Sequence, residues 1–161
     1  QWRHPAKRIP QMHEFPSPDV WLPHRVSYGE TDAMGFVYNA EYLHFFERSR
    51  SEYIRSLGMS YVEIERRGCL LPVREAFCRY RRPAHYDDVL YIRAGISECR
   101  HASLTFLYEI YAEDKRTLLA EGRTEHACIN RSGKPVRLPD WLLTLISQDG
   151  SSPQAMPQYA R

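Results

Sequence analysis

Apolar residues recur along this chain with two different periods. Between Ala40 and Leu57, the residues Tyr42, Leu43, Phe46, Tyr53, Ile54 and Leu57 fall at spacings of three, four and seven, which places them on one face of an α-helix. Asn39 is the expected N-cap of this helix and Gly58 its C′ stop. At about 1.5 Å per residue the rod would be roughly 27 Å long, enough to make it the central element of a small domain. Phe45 lies off the main stripe, so the helix is expected to be covered on more than one side, as by a sheet curling around it. Ser60 and Glu63 have the S-x-x-E spacing of a capping box and open a second, short amphipathic helix that Gly68 ends.

Beyond Gly68 the pattern changes. Leu70 to Arg82, Val89 to Glu98, Ser103 to Ala112 and Leu118 to Ile129 are rich in Val, Ile, Thr, Tyr and Phe. Arg82-Pro83, Glu113-Asp114-Lys115 and Arg131 to Pro135 separate them as turns, and the expectation is a run of consecutive antiparallel strands. A further short strand is expected over His24 to Glu30, with Val26 and Tyr28 on one face, and Thr31 to Gly35 reads as a loop. Pro139 to Ile146 supplies a last helical turn or two, with Asp140 near its start. The order strand, long helix, short helix, four strands is α+β, one long helix packed on a curved antiparallel sheet. Five prolines up to Pro23 mark residues 1–22 as an extended arm, residues 23–147 form the working domain, and the Gly-, Ser- and Pro-containing residues 148–161 form a tail.

Composition narrows the class. The chain has 161 residues, is 43% hydrophobic and 12% aromatic, and carries 22 Lys+Arg against 20 Asp+Glu, for a net charge of +2. That is a globular domain with no global field for nucleic acid. No stretch approaches the roughly 20 apolar residues of a membrane-spanning helix, and Gln1 to Asp19 has no apolar signal core, so a cytoplasmic location without membrane contact is expected. Cys69, Cys78, Cys99 and Cys128 lie far apart without C-x-x-C or regular His spacing, which argues for reduced structural thiols and no metal site.

The densest chemistry lies in Tyr28-Gly-Glu-Thr-Asp32-Ala-Met-Gly35-Phe-Val-Tyr38-Asn39-Ala-Glu-Tyr42-Leu43, followed by Phe46-Glu47-Arg48-Ser49-Arg50. It sets a carboxylate on a Gly-containing loop just ahead of a long helix, whose first backbone N–H groups lack partners and carry about half a positive charge. A carboxylate beside an oxyanion-stabilising helix end supplies two of the parts that acyl transfer requires. An Asp ahead of a helix also serves commonly as a cap or turn former. Asp32 precedes Asn39 by seven residues, too far to cap the helix as drawn.

Tyr28 through Arg50 resembles the signature of the 4-hydroxybenzoyl-CoA thioesterase-like hotdog proteins, approximately Y-x-E-T-D-x-x-G-x-V-Y-x-x-x-Y-L-x-x-F-E-x-x-R. The resemblance continues through Tyr80-Arg-Arg-Pro83-Ala84-His-Tyr86-Asp87-Asp88 and Gly133-Lys-Pro135-Val-Arg137-Leu138-Pro139, and covers about residues 23–145. It implies the hotdog fold and hydrolysis of an acyl-CoA or acyl-carrier-protein thioester, with no cofactor. By the same resemblance Asp32 acts on the thioester carbonyl as nucleophile or general base, and the backbone N–H at Asn39 holds the oxyanion. Gly35 lets the backbone approach the acyl group, and Tyr38 is the aromatic before the helix. Many bacterial relatives carry His where this chain has Asn39. The resemblance also implies a homodimer or homotetramer with acyl sites at the subunit seam.

Other polar residues have structural readings. Glu47 either orients a water or substrate or, the commoner case for a helix-interior Glu, pairs with an Arg; His44 is expected at the surface or an interface, and His85, His101 and His126 are isolated and structural. Arg79 and Arg81 share a strand face, and with Arg82 they stand either in solvent or against CoA phosphates. Met34, Phe36, Tyr38 and Tyr42 are candidates to border the acyl group. The competing function is a non-catalytic acyl-thioester-binding module, motivated by Asn39; a hotdog dehydratase and an RNA-binding domain fit the residues poorly.

Overall fold

The computed structural model describes residues 14–147. Its elements run β1 (Asp19–Arg25), a 3-10 turn at Tyr28–Glu30, α1 (Glu41–Ser56), α2 (Tyr61–Arg66), β2 (Val73–Tyr80), β3 (Val89–Cys99), β4 (Ser103–Tyr111), β5 (Leu118–Ala127) and α3 (Asp140–Ser147). The five strands form one antiparallel sheet in the order β1-β3-β4-β5-β2. This is the expected hotdog arrangement, a sheet folded around α1.

The alternation along the strands decides which face meets the helix. Leu90, Ile92 and Ala94 of β3 and Leu104, Phe106, Tyr108 and Ile110 of β4 are buried, while the intervening residues reach the outer face. From α1, Phe45, Phe46, Tyr53 and Ile54 fill the space between. Phe46 lies flat on Tyr108, with ring centroids 4.2 Å apart and planes 10° from parallel. Gly122 of β5 permits this approach, because a Cβ there would stand 2.5 Å from Phe46 Cε2 and 2.5 Å from the Phe77 carbonyl oxygen. Phe45, the residue off the stripe, is also fully buried and packs on His24, centroids 4.8 Å apart. On the outer face Arg93 joins three strands, bonding Asp19 at 2.5 Å and Glu109 at 3.3 Å.

Five expectations are corrected. The first strand is not His24 to Glu30 but Asp19–Arg25, which begins inside the stretch assigned to the arm; residues 1–13 of that arm and the tail 148–161 lie outside the described residues. Pro23 is tolerated because β1 is an edge strand, and Val26 and Tyr28 do not share a face, the first being buried and the second exposed. The strands after Gly68 are not simply consecutive: β3, β4 and β5 follow one another, but β2 pairs with β5. The link from Tyr80 to Val89 therefore crosses three strand spacings, roughly 14 Å at about 4.8 Å each, a distance its length easily spans.

Asn39 is not the N-cap. Ala40 holds that position, at φ −70° and ψ −22°, and makes no side-chain cap bond. The chain coils before the helix proper, Glu41 N–H donating to Tyr38 O at 2.9 Å and Leu43 N–H to Ala40 O at 3.2 Å, so backbone carbonyls do the work of a cap. Glu47 is exposed and forms no ion pair among the described residues. Gly58 and Gly68 do end their helices, at φ +83° and +87°, and Ser60 accepts from Glu63 N–H at 3.2 Å. All four cysteines are free thiols, with Cys69 and Cys128 Sγ atoms 3.4 Å apart in the core.

Candidate active site

The loop that carries Asp32 is closed by an antiparallel bridge between Thr31 and Val37. Inside it Asp32 N–H donates to Phe36 O at 2.8 Å, and Gly35 N–H donates to Asp32 O at 3.0 Å. The turn needs a residue at φ +83°, which Gly35 provides without a Cβ penalty. One carboxylate oxygen of Asp32, Oδ1, accepts from Met34 N–H at 2.9 Å and from Phe36 N–H at 3.3 Å. The other, Oδ2, has no hydrogen-bond partner among the described residues. Asp32 is therefore a loop former through one oxygen and leaves the second available.

That loop is fastened to the β2–β3 link. Val37 N–H donates to Ala84 O at 2.8 Å, Phe36 bridges His85, and Tyr28 stacks on Tyr86 with centroids 3.6 Å apart. Behind it stands a carboxylate that sequence reasoning missed. Glu30 is buried, accepts from Ser27 N–H at 2.9 Å, and meets His24 Nε2 at 2.9 Å and an Arg48 nitrogen at 3.7 Å. Burial pushes its carboxyl upward, but the Ser27 amide, His24 and Arg48 together hold it below the usual range. Its backbone oxygen accepts from Tyr38 N–H at 2.8 Å, tying the far end of the loop to the same anchor. The signal that would have found it is Ser27-x-x-Glu30, the spacing of a capping box.

Loop, helix start and strand end enclose one cleft of about 300 Å³. Asp32, Met34, Phe36 and Val37 line it from the loop, Asn39 and Tyr42 from the start of α1, and Tyr80, Arg81, Arg82 and Pro83 from the end of β2 and the link. Asp32 and Asn39 thus share a wall, as do the candidate acyl contacts Met34, Phe36 and Tyr42. Gly35 and Tyr38 sit on the loop outside the lining residues. The backbone N–H groups of Asn39 and Ala40 donate to no atom among the described residues, and the α1 dipole adds to their field.

Tyr80 packs edge-on against Tyr42, centroids 4.9 Å apart and planes at 90°, and its hydroxyl donates to Asn39 O at 2.7 Å. Desolvation, then the neighbouring Cys78 thiol and Tyr42, pushes the Tyr80 phenol above the ordinary tyrosine range, so it remains a donor. Arg81 is held in an ion pair with Glu121 at 2.7 Å. His85 is exposed, bonds Asp88 and packs on Phe36. His44 and His101 are exposed. His126, on β5, is buried in the core. Among the described residues no group of His, Cys, Asp and Glu could hold a metal ion, and no helix is long and apolar enough to cross a membrane.

A family profile described as the thioesterase-like superfamily matches residues 26–146. The chain belongs to the thioesterase-like superfamily. Among its relatives in that superfamily, the acyl-CoA thioesterase YbgC of Haemophilus influenzae is 36% identical over 120 residues, covering 73% of this chain and 87% of the relative. The acyl-CoA thioester hydrolase YbgC of Escherichia coli O6:H1 is 35% identical over 127 residues, covering 78% and 94%. Of solved structures, the DHNA-CoA thioesterase of Staphylococcus aureus superposes with a TM-score of 0.74 at 30% identity, over 81% of this chain and 89% of that one. The family match spans the whole cleft, from the Asp32 loop to the β2–β3 link.

Proposed function

We propose that this member of the superfamily hydrolyses the thioester of an acyl-CoA or an acyl-carrier protein to a free acid and a thiol. Asp32 acts on the carbonyl carbon, as nucleophile or as general base toward water, and the backbone amide at Asn39 receives the oxyanion. The observation that carries this reading is the Asp32 carboxylate, anchored through Oδ1 on two loop amides, in a residue that lines the same cleft as Asn39, whose N–H has no acceptor among the described residues. A thiolate whose conjugate acid has a pKa of about 8.5 leaves near neutral pH without a strong general acid, which suits a cleft with Asn39 at the position where the resemblance implies His in many bacterial relatives. In this reading Gly35 and Tyr38 contact substrate from the loop once it is bound.

Released thiol, followed on a panel of short, long and aromatic acyl-CoAs, tests the proposal. Asp32→Asn is expected to lower kcat by several orders of magnitude, and full turnover by Asp32→Ala would end it. Tight acyl-CoA binding without thiol release on any chain length would favour the binding module that Asn39 suggests. In ¹⁸O-water, label in the Asp32 carboxylate after single turnover marks the nucleophilic route, and label in product alone marks water attack. The reading extends to assembly and location: β2 is an edge strand beside the cleft, and Met34, Phe36 and Tyr38 are exposed there. We expect a cytoplasmic homodimer or homotetramer, and a monomer by light scattering at micromolar concentration would contradict the assembly.

A further inference from the structure

The geometry points to Tyr80 as a positioning residue for the oxyanion-binding peptides, a role that rests on the thioesterase reading above. Helix α1 begins at Ala40 without a side-chain cap. The turn before the helix takes up the N–H groups of Glu41, Tyr42 and Leu43, so the open amides are those of Asn39 and Ala40; the peptide carrying the Asn39 N–H is held by Glu41 N–H on the Tyr38 carbonyl at 2.9 Å. The Asn39 carbonyl receives only a long bond from inside the turn, Tyr42 N–H at 3.4 Å. Its close partner comes from another element, the Tyr80 hydroxyl at 2.7 Å.

That one bond acts on two donors. The Asn39 carbonyl belongs to the same planar unit as the Ala40 N–H, so holding the oxygen fixes the direction of that N–H. It also fixes this unit relative to the neighbouring one, which carries the Asn39 N–H and is held through the Tyr38 carbonyl by Glu41 N–H. A hydrogen bond accepted at the carbonyl withdraws charge through the amide and strengthens the N–H as a donor. Tyr80 lines the cleft beside Asp32 and Asn39, and its ring is held against Tyr42 of the first helical turn. The hydroxyl therefore links the end of β2 to the start of α1 at the point where negative charge would develop. Its effect belongs to the transition state, because a planar thioester carbonyl gains less than a tetrahedral oxyanion from well-aimed donors.

Tyr80→Phe removes the hydroxyl and keeps the ring on Tyr42. The expected result is a fall in kcat of at least about tenfold with KM changed by less than about twofold, smaller than the 10²–10³ that losing an oxyanion donor itself costs. A fluorinated ketone analogue of the acyl-CoA, which presents a tetrahedral oxyanion, should weaken by the same factor. A thioether analogue lacking the carbonyl oxygen should bind unchanged. If Asp32→Asn is inactive and Tyr80→Phe turns over like wild type, the positioning role is wrong and the thioesterase reading stands. If both variants keep full turnover, the assignment of the hydrolysis to Asp32 and this cleft fails, and the positioning role with it. A rise in KM with kcat unchanged, or equal weakening of both analogues, assigns Tyr80 to substrate binding and overturns the inference. Should Tyr80→Phe not fold, fluorinated tyrosine at position 80 provides the test: kcat, with KM steady, falls as pH rises through ionisation of the acidified phenol, and a flat profile overturns the role.

Discussion

Acidification should weaken this fold through His126, and the size of the effect can be worked from its surroundings. His126 is 1% exposed. Its Nδ1 lies 2.9 Å from the Leu71 carbonyl oxygen, an acceptor only, so Nδ1 carries the proton. Nε2 then accepts from the Thr124 hydroxyl at 2.8 Å, and Thr124 in turn accepts from the Tyr108 hydroxyl at 2.6 Å. The chain of bonds runs one way and fits only a neutral imidazole. A second proton on Nε2 would reverse Thr124, and it would sit in a desolvated core near the Arg50 charge. Burial first, and then Arg50, lower the His126 pKa from 6.5 to about 4, against the opposing pull of the Leu71 carbonyl. The folded pKa is depressed, so the stability it contributes is complete above pH 6.5 and is lost as pH falls, because the unfolded chain takes up the proton first. At about 1.36 kcal/mol per unit, the loss between pH 6.5 and pH 4 is on the order of 3 kcal/mol. Urea unfolding of wild type and His126→Asn at pH 7, 6, 5 and 4 measures it, the variant keeping a donor toward Leu71 but no titration. Carboxylates common to both proteins cancel in the difference. Wild type should lose about 3 kcal/mol more than the variant across that range; parallel pH dependences would refute the reasoning.

Two further outcomes follow from the packing around the site. Gly122→Ala drives a methyl group into Phe46 and the Phe77 backbone, so unfolding free energy should fall by about 3 kcal/mol, the upper end for overpacking; Gly122→Ala combined with Phe46→Leu should recover part of that loss, and a neutral single variant would show that the sheet can give way. Glu30→Gln keeps the shape but removes the charge that holds His24, Arg48 and the Ser27 amide, costing about 1–3 kcal/mol at pH 7. Because the Glu30 pKa is depressed, its contribution is present above the unfolded carboxylate pKa and fades as pH falls through the folded one, so wild type and variant should converge in acid; a gap that does not narrow as pH falls in chemical unfolding would contradict the assignment.

How far the sequence could be read depended on whether a contact was local. Helix α1 was legible because its apolar stripe and the Gly58 stop are both written within one stretch. The strands β3, β4 and β5 were legible for the same reason, each alternating between buried and outer positions and ending in a turn. β1 was placed too late because prolines on either side of Trp21 read as an arm, and only its place at the sheet edge makes Pro23 acceptable. The N-cap was misplaced because Asn39 has the right chemistry for a cap, while the chain satisfies the same amides with a preceding turn.

The cleft divides along the same line. Asp32, Gly35 and Asn39 lie within eight residues of one another, and motif reading finds them. What holds them is distant in sequence: Tyr80 reaches Asn39 across 41 residues, and Ala84 reaches Val37 through a link whose path depends on β2 pairing with β5. Strand propensity cannot reveal that pairing, since it marks a segment as a strand without saying which neighbour it takes. Yet the pairing is what makes the cleft. With β2 at the far edge, the link back to β3 must pass the mouth of the Asp32 loop and the start of α1, and its backbone bonds to that loop on the way. A β2 placed beside β3 would close with a short hairpin and leave the Asp32 loop without its outer wall. The carboxylate is therefore specified by the sequence near it, and its setting by a crossover that only the folded sheet discloses.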